Sequence, residues 1–137
     1  MTEAVLDASV VIKWFRSDGE RSVGAAHALL AAFRDGNLAV TVPSLLFLEL
    51  LNVAGRRWNW QREALIDLAN ALRDLEFRQL EPDLVGVAAW TARGLSAYDA
   101  AYVALAEGEG IPLITDDERM LAIAEPLAVA LSAAVPG

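Results

Sequence analysis

The chain contains no cysteine, and it has only one histidine, His27, and one lysine, Lys13. Without cysteine there is no thiol nucleophile, no disulfide and no thiolate metal site, and a reducing compartment is expected. One histidine and one lysine offer little for acid–base catalysis without a metal, and His27 lies in a helical pattern typical of a packing or surface residue. No G-x-S-x-G motif marks a serine nucleophile. These absences argue against catalysis by thiol, serine or histidine groups.

Long apolar runs are also missing. Hydrophobic residues make up 55% of the 137 residues, yet no stretch approaches the roughly 18 uninterrupted apolar residues of a membrane span. The first residues lack the basic segment and the long apolar segment of a signal peptide. We therefore expect a soluble, cytoplasmic protein with no membrane partner. The length predicts a single domain over residues 1–137.

Short β-type runs alternate with longer amphipathic patterns along the chain. The predicted strands are residues 4–6, 39–42, 76–80, 112–115 and 128–131. The predicted helices are residues 9–15, 20–34, 44–57, 61–75, 83–93, 98–107 and 117–124. This alternation indicates an α/β fold in three α/β/α layers, with a mostly parallel sheet of four to five strands. Ligands of such sheets bind beyond the carboxyl ends of the strands.

Glu49 is the only charged residue in the apolar run over residues 45–51. A carboxylate there must face a cleft or be buried, and burial without a partner shifts its pKa or is energetically costly. Helical spacing places four residues on one face: Leu45, Glu49, Asn52 and Arg56. Such a narrow polar stripe is typical of a helix that lines a cleft, although a helix rotation that exposes Glu49 is the alternative. Arg56 lies nearly two turns away, so a metal or a polar cluster is the better partner for Glu49.

Other acids stand where predicted strands end or predicted helices begin. Asp7 directly follows the first strand, and Asp116 and Asp117 directly follow the fourth. Each has an ordinary explanation, because acids favour the first turn of a helix, and residues 96–99 and 115–118 both match the capping-box pattern. Asp99 closes the first of these boxes, and only the fold could bring it to the other acids. The residues alone leave the structural and the functional interpretations open.

A cleft that gathers several carboxylates requires a cation, since each close pair repels by about 4 kcal/mol at an effective dielectric constant of about 20. Oxygen ligands favour the hard ions Mg²⁺ and Mn²⁺, and Mg²⁺ keeps several waters that a substrate can replace. If the acids converge, we therefore expect a magnesium or manganese site.

The chain resembles the PIN-domain ribonucleases, and in size and layout the VapC-type toxins of bacterial toxin–antitoxin pairs. Four fragments carry the resemblance: residues 5–9 (Val-Leu-Asp-Ala-Ser), residues 43–52 with Pro43, Ser44, Glu49 and Asn52, residues 96–100 (Ser-Ala-Tyr-Asp-Ala) and residues 114–117 (Ile-Thr-Asp-Asp). The resemblance covers essentially the whole chain. It implies that Asp7, Glu49, Asp99 and an aspartate of the last fragment hold Mg²⁺ or Mn²⁺. In the family's last motif, a threonine, a variable residue and an aspartate follow one another, which favours Asp117 over Asp116.

The same resemblance implies an activity and partners. The activity is metal-dependent hydrolysis of RNA phosphodiester bonds that leaves a 5′-phosphate and a 3′-hydroxyl. Ser9 and Thr115 match small hydroxyl residues that support the acids in the family, and Asn52, nearly one turn after Glu49 on the same helix face, is a further supporting candidate. The implied assembly is a homodimer that binds a cognate antitoxin, whose C-terminal segment covers the cleft. An acidic cleft would suit an inserted arginine or lysine.

Two basic segments are candidate RNA contacts within a chain whose net charge is −8. Lys13 and Arg16 lie near Asp7, and the alternative for them is an amphipathic surface helix. Arg56 and Arg57 precede two tryptophans, and charge combined with aromatic faces is typical of single-stranded RNA binding. The alternative for this second segment is a helix end whose tryptophans pack into the core or a subunit interface.

Three functions therefore compete. The first is an endoribonuclease toxin, the second is a housekeeping PIN-domain nuclease for RNA processing, and the third is a non-catalytic RNA- or protein-binding module whose acids serve only structure. A phosphoryl-accepting receiver domain is disfavoured, because it needs an acidic pair after the first strand and a lysine after the last, and the sequence has neither.

Overall fold

The fold is built on a parallel β-sheet, seen in a computed structural model that describes residues 2–16 and 18–134. In these ranges the strands are β1 (Thr2–Leu6), β2 (Leu38–Val42), β3 (Arg78–Gln79), β4 (Leu113–Thr115) and β5 (Ala128–Ala130). The sheet has five strands in the order β3-β2-β1-β4-β5. Every neighbouring pair is parallel, so the mostly parallel sheet predicted from the sequence is in fact wholly parallel.

Helices connect the strands throughout the described ranges. They are α1 (Ala8–Val11), α2 (Val23–Arg34), α3 (Leu45–Asn52), α4 (Arg62–Asp74), α5 (Leu84–Ala92), α6 (Ala97–Glu109) and α7 (Glu118–Ala124). Two predicted helices change type before they end. The first continues as a 3₁₀ turn over Ile12–Trp14, and the helix predicted over residues 44–57 becomes a π-helical turn at Val53–Arg57. None of these helices combines the length and the apolar character that crossing a lipid bilayer requires.

The sheet is covered on both faces, as the α/β/α prediction requires. Successive residues of a strand point to opposite faces, and Ala4, Val5 and Leu6 of β1 are all fully buried. The third strand is shorter than the predicted residues 76–80. Phe77, just before it, packs instead with aromatic rings that include Phe33, at a ring distance of 5.1 Å.

The strand order changes direction at β1. Chain order runs from β1 through β2 to β3 on one side, and β4 then returns to the other side of β1, with Leu6 opposite Ile114. The residues that follow β1 and β4 therefore lie side by side at the carboxyl edge of the sheet. This is the position where open parallel sheets bind their ligands.

Helix α6 brings a distant part of the chain to the same edge. It packs against β1 and β4, and all of its residues from Ala100 to Ala106 are buried. Gly110 ends it in a left-handed conformation, φ 67°, and β4 begins three residues later. Because α6 must run antiparallel to β4 to make so short a connection, its first turn, with Asp99, lies at the carboxyl edge. The fold thus supplies the placement of Asp99 that the sequence left open.

Candidate functional site

Asp7 is the most deeply buried acid at this edge, with 4% of its surface exposed. Both of its oxygens accept hydrogen bonds from hydroxyl groups. Ser9 Oγ donates to Oδ1 at 2.6 Å, and Thr115 Oγ1 donates to Oδ2 at 2.5 Å. The orientation of the carboxylate is therefore fixed from β1, α1 and β4 together.

The loop after β4 is tied to the same two hydroxyls. Asp116 N donates to Ser9 Oγ at 2.9 Å, and Asp117 N donates to Thr115 Oγ1 at 3.0 Å. Each hydroxyl group thus accepts a hydrogen bond from the loop and donates one to Asp7. This chain of hydrogen bonds holds the two loop aspartates in a defined position beside Asp7.

The capping box predicted over residues 115–118 is wrong. Thr115 is the last residue of β4 and not a helix N-cap, and its hydroxyl donates to Asp7. Asp117 is itself the N-cap of α7, and its Oδ1 accepts from Met120 N at 2.9 Å. Of the capping box predicted for residues 96–99, one half forms: Ser96 Oγ accepts from Asp99 N at 3.0 Å.

Asp116 and Asp117 face different partners. Asp116 Oδ2 lies 3.3 Å from Lys13 Nζ and 3.3 Å from Arg21 Nε. Lys13 is only 2% exposed and also pairs with Glu20 Oε2 at 3.1 Å. The ammonium group is therefore held by two carboxylates inside the protein, a placement that does not support its predicted contact with RNA.

Glu49 is half-buried in α3, and its Oε1 accepts a hydrogen bond from the hydroxyl of Tyr102 in α6. Sequence reasoning missed Tyr102 as the polar partner of Glu49. A signal was present, because Tyr102 follows Asp99 by three residues and therefore shares its helix face. Only the fold shows that this face meets α3.

The predicted polar stripe along α3 does not line one cleft. Glu49 turns toward Tyr102, whereas Asn52 is exposed and lies with Arg56 at a separate cavity of about 530 Å³. Glu49 and Asn52 both lie within α3, and the π-helical turn that begins at Val53 changes the residues-per-turn spacing only toward Arg56. Asn52, predicted to support the acids, is not hydrogen-bonded to Glu49 in the described part of the chain.

Burial and mutual repulsion raise the pKa of three of the acids. Burial, with the charge of Asp117 as a smaller cause, raises the pKa of Asp7 to about 6 against the lowering effect of its hydroxyl donors. Burial raises the pKa of Glu49, and the charge of Asp99 adds to it. Burial and then Asp117 raise the pKa of Asp99. The four carboxylates therefore act on one another electrostatically across one site.

The tyrosine at this site stays protonated. Burial first, and then the charge of Glu49 and its hydrogen bond, raise the pKa of Tyr102 far above its ordinary value, and Asp7 and Asp99 add to the effect. The hydroxyl is thus a permanent donor that lies among the acids.

The donor set fits a hard divalent cation. All four acids offer oxygen, the ligand that Mg²⁺ and Mn²⁺ prefer, and their repulsion would be relieved by positive charge. In the described ranges, no three histidine or acidic side chains stand close enough together to bind one ion directly. Mg²⁺ commonly binds one or two carboxylates and keeps its other ligands as water. The arrangement suits an ion held by two of the acids, with the others acting through water.

The remaining predicted basic contacts occupy different surroundings. The guanidinium of Arg16 lies over the Trp58 ring, 5.1 Å from its centroid. Arg57 lines a cavity of about 250 Å³ together with Ser9, Lys13 and Arg21, immediately beside the Asp7 site. Arg56, its neighbour in sequence, lines the separate cavity near Asn52. Trp58 and Trp60 pack against each other and against the core.

A model of the PIN domain matches residues 4–126, and the chain therefore belongs to the PIN-domain family. Among solved structures, PAE2754 from Pyrobaculum aerophilum is 27% identical with a TM-score of 0.64, over 95% of this chain and 90% of that one. A comparison with curated proteins found no match.

Two further solved structures share the fold at lower identity. VapC20 of Mycobacterium tuberculosis, described as a toxin that cleaves the sarcin-ricin loop, is 19% identical with a TM-score of 0.66, over 87% of this chain and 93% of that one. A chain of a toxin–antitoxin complex from Klebsiella pneumoniae is 18% identical with a TM-score of 0.55, over 93% of this chain and 97% of that one.

Proposed function

We propose that the protein is a metal-dependent endoribonuclease that hydrolyses RNA phosphodiester bonds and acts as the toxin of a toxin–antitoxin pair. One observation carries the enzymatic part. Asp7, Glu49, Asp99 and Asp117 come from four separate parts of the chain, and the PIN-domain fold gathers them at the switch point of the sheet. The raised pKa values of Asp7, Glu49 and Asp99 are typical of a functional site.

The proposed roles follow from the contacts. Asp7 and Asp117 would hold the divalent cation, Mg²⁺ or Mn²⁺, and Asp99 and Glu49 would contact it directly or through water. Ser9 and Thr115 keep Asp7 in position and also fix the loop that carries Asp117. A bound divalent cation would neutralise charge on the scissile phosphate and lower the pKa of a water molecule. Asp116 is assigned to the ion pairs with Lys13 and Arg21 rather than to the metal.

The toxin role rests on the similarity to known toxins. VapC20 is described as a toxin that cleaves the sarcin-ricin loop, and the Klebsiella chain belongs to a toxin–antitoxin complex. We extend both properties to this chain as proposals: an RNA substrate and a cognate antitoxin. A homodimer, a cytoplasmic location and a single domain over residues 1–137 belong to the same proposal.

The test of the enzymatic proposal is cleavage of RNA by the purified protein with and without divalent ions. We expect no cleavage in the presence of a chelator, and restored cleavage when Mg²⁺ or Mn²⁺ is added in excess. Mapped products should carry a 5′-phosphate and a 3′-hydroxyl. Cleavage that persists in the chelator, or products with a 2′,3′-cyclic phosphate, would contradict it, and a protein that cleaves no RNA under any condition would favour the binding-module alternative.

The toxin proposal needs a separate test. Expression in a bacterium should arrest growth, and mapping of RNA 5′ ends should reveal one dominant cleavage site. Co-expression of a short reading frame found immediately upstream of the gene should restore growth. If expression has no effect on growth and many transcripts are trimmed, the protein is a housekeeping nuclease.

We expect Arg57→Gln to weaken RNA binding more than Arg56→Gln. Arg57 lies at the cavity that adjoins Asp7, so it is placed to contact a phosphate beside the scissile one. Binding of RNA to the inactive Asp7→Asn variant, measured at several salt concentrations, should lose roughly one phosphate contact from its salt slope when Arg57 is replaced. Arg56→Gln is the matched control because it removes the same charge one position away. Equal effects of the two variants would contradict a phosphate contact by Arg57.

A further inference from the structure

Tyr102 is a core tyrosine with its one polar side-chain atom at the acidic site. Only 1% of the residue is exposed, and its sequence neighbours Ala101 and Val103 are also buried. Its hydroxyl donates to Glu49 Oε1. It also lies close enough to Asp7 and Asp99 for their charges to act on it. The phenol therefore connects α6 to α3 at the base of the site.

The orientation of the Glu49 side chain depends on its contact with Tyr102. Asp7 is held by two hydroxyl donors, and Asp117 is held by Met120 N at the start of α7. Within residues 2–16 and 18–134, Tyr102 is the one hydrogen-bond donor to the Glu49 carboxylate. A glutamate has three rotatable side-chain bonds, and fixing them costs entropy that the buried phenol offsets.

The hydrogen bond from Tyr102 also leaves the Glu49 carboxylate able to bind a cation. A carboxylate can accept about four hydrogen bonds or ligand contacts through its two oxygens. The phenol takes one of these positions on Oε1, so Oε2 remains available to a cation or to its bound water. A buried tyrosine hydroxyl usually has a hydrogen-bond partner, but that partner need not be a carboxylate of the candidate metal site.

We infer that Tyr102 is a positioning residue of the metal site: it fixes the side-chain conformation of Glu49 so that Oε2 faces the cation. This inference rests on the proposed function. It differs from a purely structural role because the effect of Tyr102 must pass through Glu49.

The chain offers a matched control, because it has only two tyrosines and the other, Tyr98, is 65% exposed one turn earlier in α6. We expect Tyr102→Phe to weaken Mn²⁺ binding by roughly 10- to 100-fold, the range found when a residue that orients a metal ligand is removed. RNA cleavage should fall in parallel and recover partly at high Mn²⁺. Tyr98→Phe should leave both unchanged. Calorimetric titration measures the affinity, and circular dichroism checks that the fold is kept.

A second comparison, made in a protein that lacks the Glu49 carboxylate, distinguishes a positioning role of Tyr102 from a purely structural one. In a Glu49→Ala protein, Tyr102→Phe should change Mn²⁺ affinity by less than about twofold, since the residue through which it acts is gone. The inference is overturned if Tyr102→Phe folds and binds Mn²⁺ as wild type does, or if it causes the same loss with and without Glu49.

A proton NMR measurement keeps the inference testable apart from the enzymatic proposal. A protected hydroxyl signal is expected in the metal-free protein, retained in Tyr98→Phe and shifted or lost in Glu49→Ala. A signal that Glu49→Ala leaves unchanged would overturn the assigned partner even if Tyr102→Phe does not fold. A wild-type protein that shows this signal but binds no Mn²⁺ would instead refute the proposed function, and with it the role of Tyr102 in a metal site.

Discussion

Asp7→Asn is expected to abolish RNA cleavage, lowering the rate by roughly 1000-fold or more, a loss comparable to removing a principal electrostatic group from an active site. The substitution removes the charge at the centre of the site and retains the shape of the side chain. The asparagine can still bond to Ser9 and Thr115, because hydroxyl groups both donate and accept. The fold should therefore survive. Single-turnover cleavage of a mapped RNA site, with circular dichroism as the control, measures the effect.

The same substitution should stabilise the metal-free protein. Asp7 has a pKa of about 6 in the folded chain against an ordinary value of 3.8, so its ionised form is disfavoured by folding. At pH 8 the carboxylate is charged in both the folded and the unfolded state, and the full penalty applies. Linkage puts that penalty at about 3 kcal/mol, an upper estimate for the stabilisation by Asp7→Asn.

The direction of this pKa shift determines how the free energy of unfolding depends on pH. Because the folded pKa is raised, the charged Asp7 carboxylate destabilises the fold at pH 8. This destabilisation disappears as the pH falls through about 6 toward 3.8, where the carboxyl group becomes protonated in the folded protein first. The free energy of unfolding of wild type should therefore approach that of Asp7→Asn across this window, measured by urea denaturation without divalent ions. Excess Mg²⁺ should reverse the order at pH 8, since it stabilises only the wild type. A variant that unfolds, or that is less stable at pH 8 without metal, would indicate that Asp7 is structural.

Asp117→Asn and Asp116→Asn should affect different properties: the first should lower cleavage and the second should lower stability. Asp117→Asn should lose roughly 100-fold or more in cleavage, because it removes a carboxylate that faces the other acids. Its stability should change little, since asparagine is as good an N-cap as aspartate for α7. A cleavage assay at saturating Mg²⁺, paired with thermal unfolding, measures both quantities.

Asp116→Asn is the matched control, with the same chemical change one residue away. It removes one of the two carboxylates that neutralise the buried Lys13, so we expect a loss of about 1–3 kcal/mol in stability. Cleavage should remain within about threefold of wild type at a temperature where the variant is folded. The assignment of Asp117 to the metal is contradicted if Asp116→Asn is the inactive variant and Asp117→Asn cleaves normally.

Much of the fold could be predicted because local patterns and global topology agree. The buried run before Asp7 and the run that ends at Thr115 are both short and mostly apolar, and each contains a β-branched residue, as central parallel strands do. The rule that ligands bind at the carboxyl edge then placed Asp7 beside the residues after β4. Asp99 could be assigned only by resemblance, because its position depends on the direction of α6, which no local pattern determines.

Other features depend on side-chain contacts between distant segments. Lys13 reads as a surface cation in sequence, but Glu20 and Asp116 allow its ammonium to be buried. Tyr102 reads as a core residue, and it is one, yet its hydroxyl reaches Glu49 in a helix some fifty residues away. The π-helical turn after Asn52 has no clear signal in the sequence, and it changes the helical spacing between Glu49 and Arg56.

The most direct test of the central claim is an anomalous-scattering map from crystals of the protein grown with Mn²⁺. We expect one Mn²⁺ peak between Asp7 and Asp117, with Asp99 and Glu49 in contact or joined to it through water, and no such peak in Asp7→Asn. A map without Mn²⁺ at these acids, from crystals in which the site is open to solvent and Mn²⁺ is in excess, would contradict it. So would a peak bound by Asp116 with Asp117 turned away.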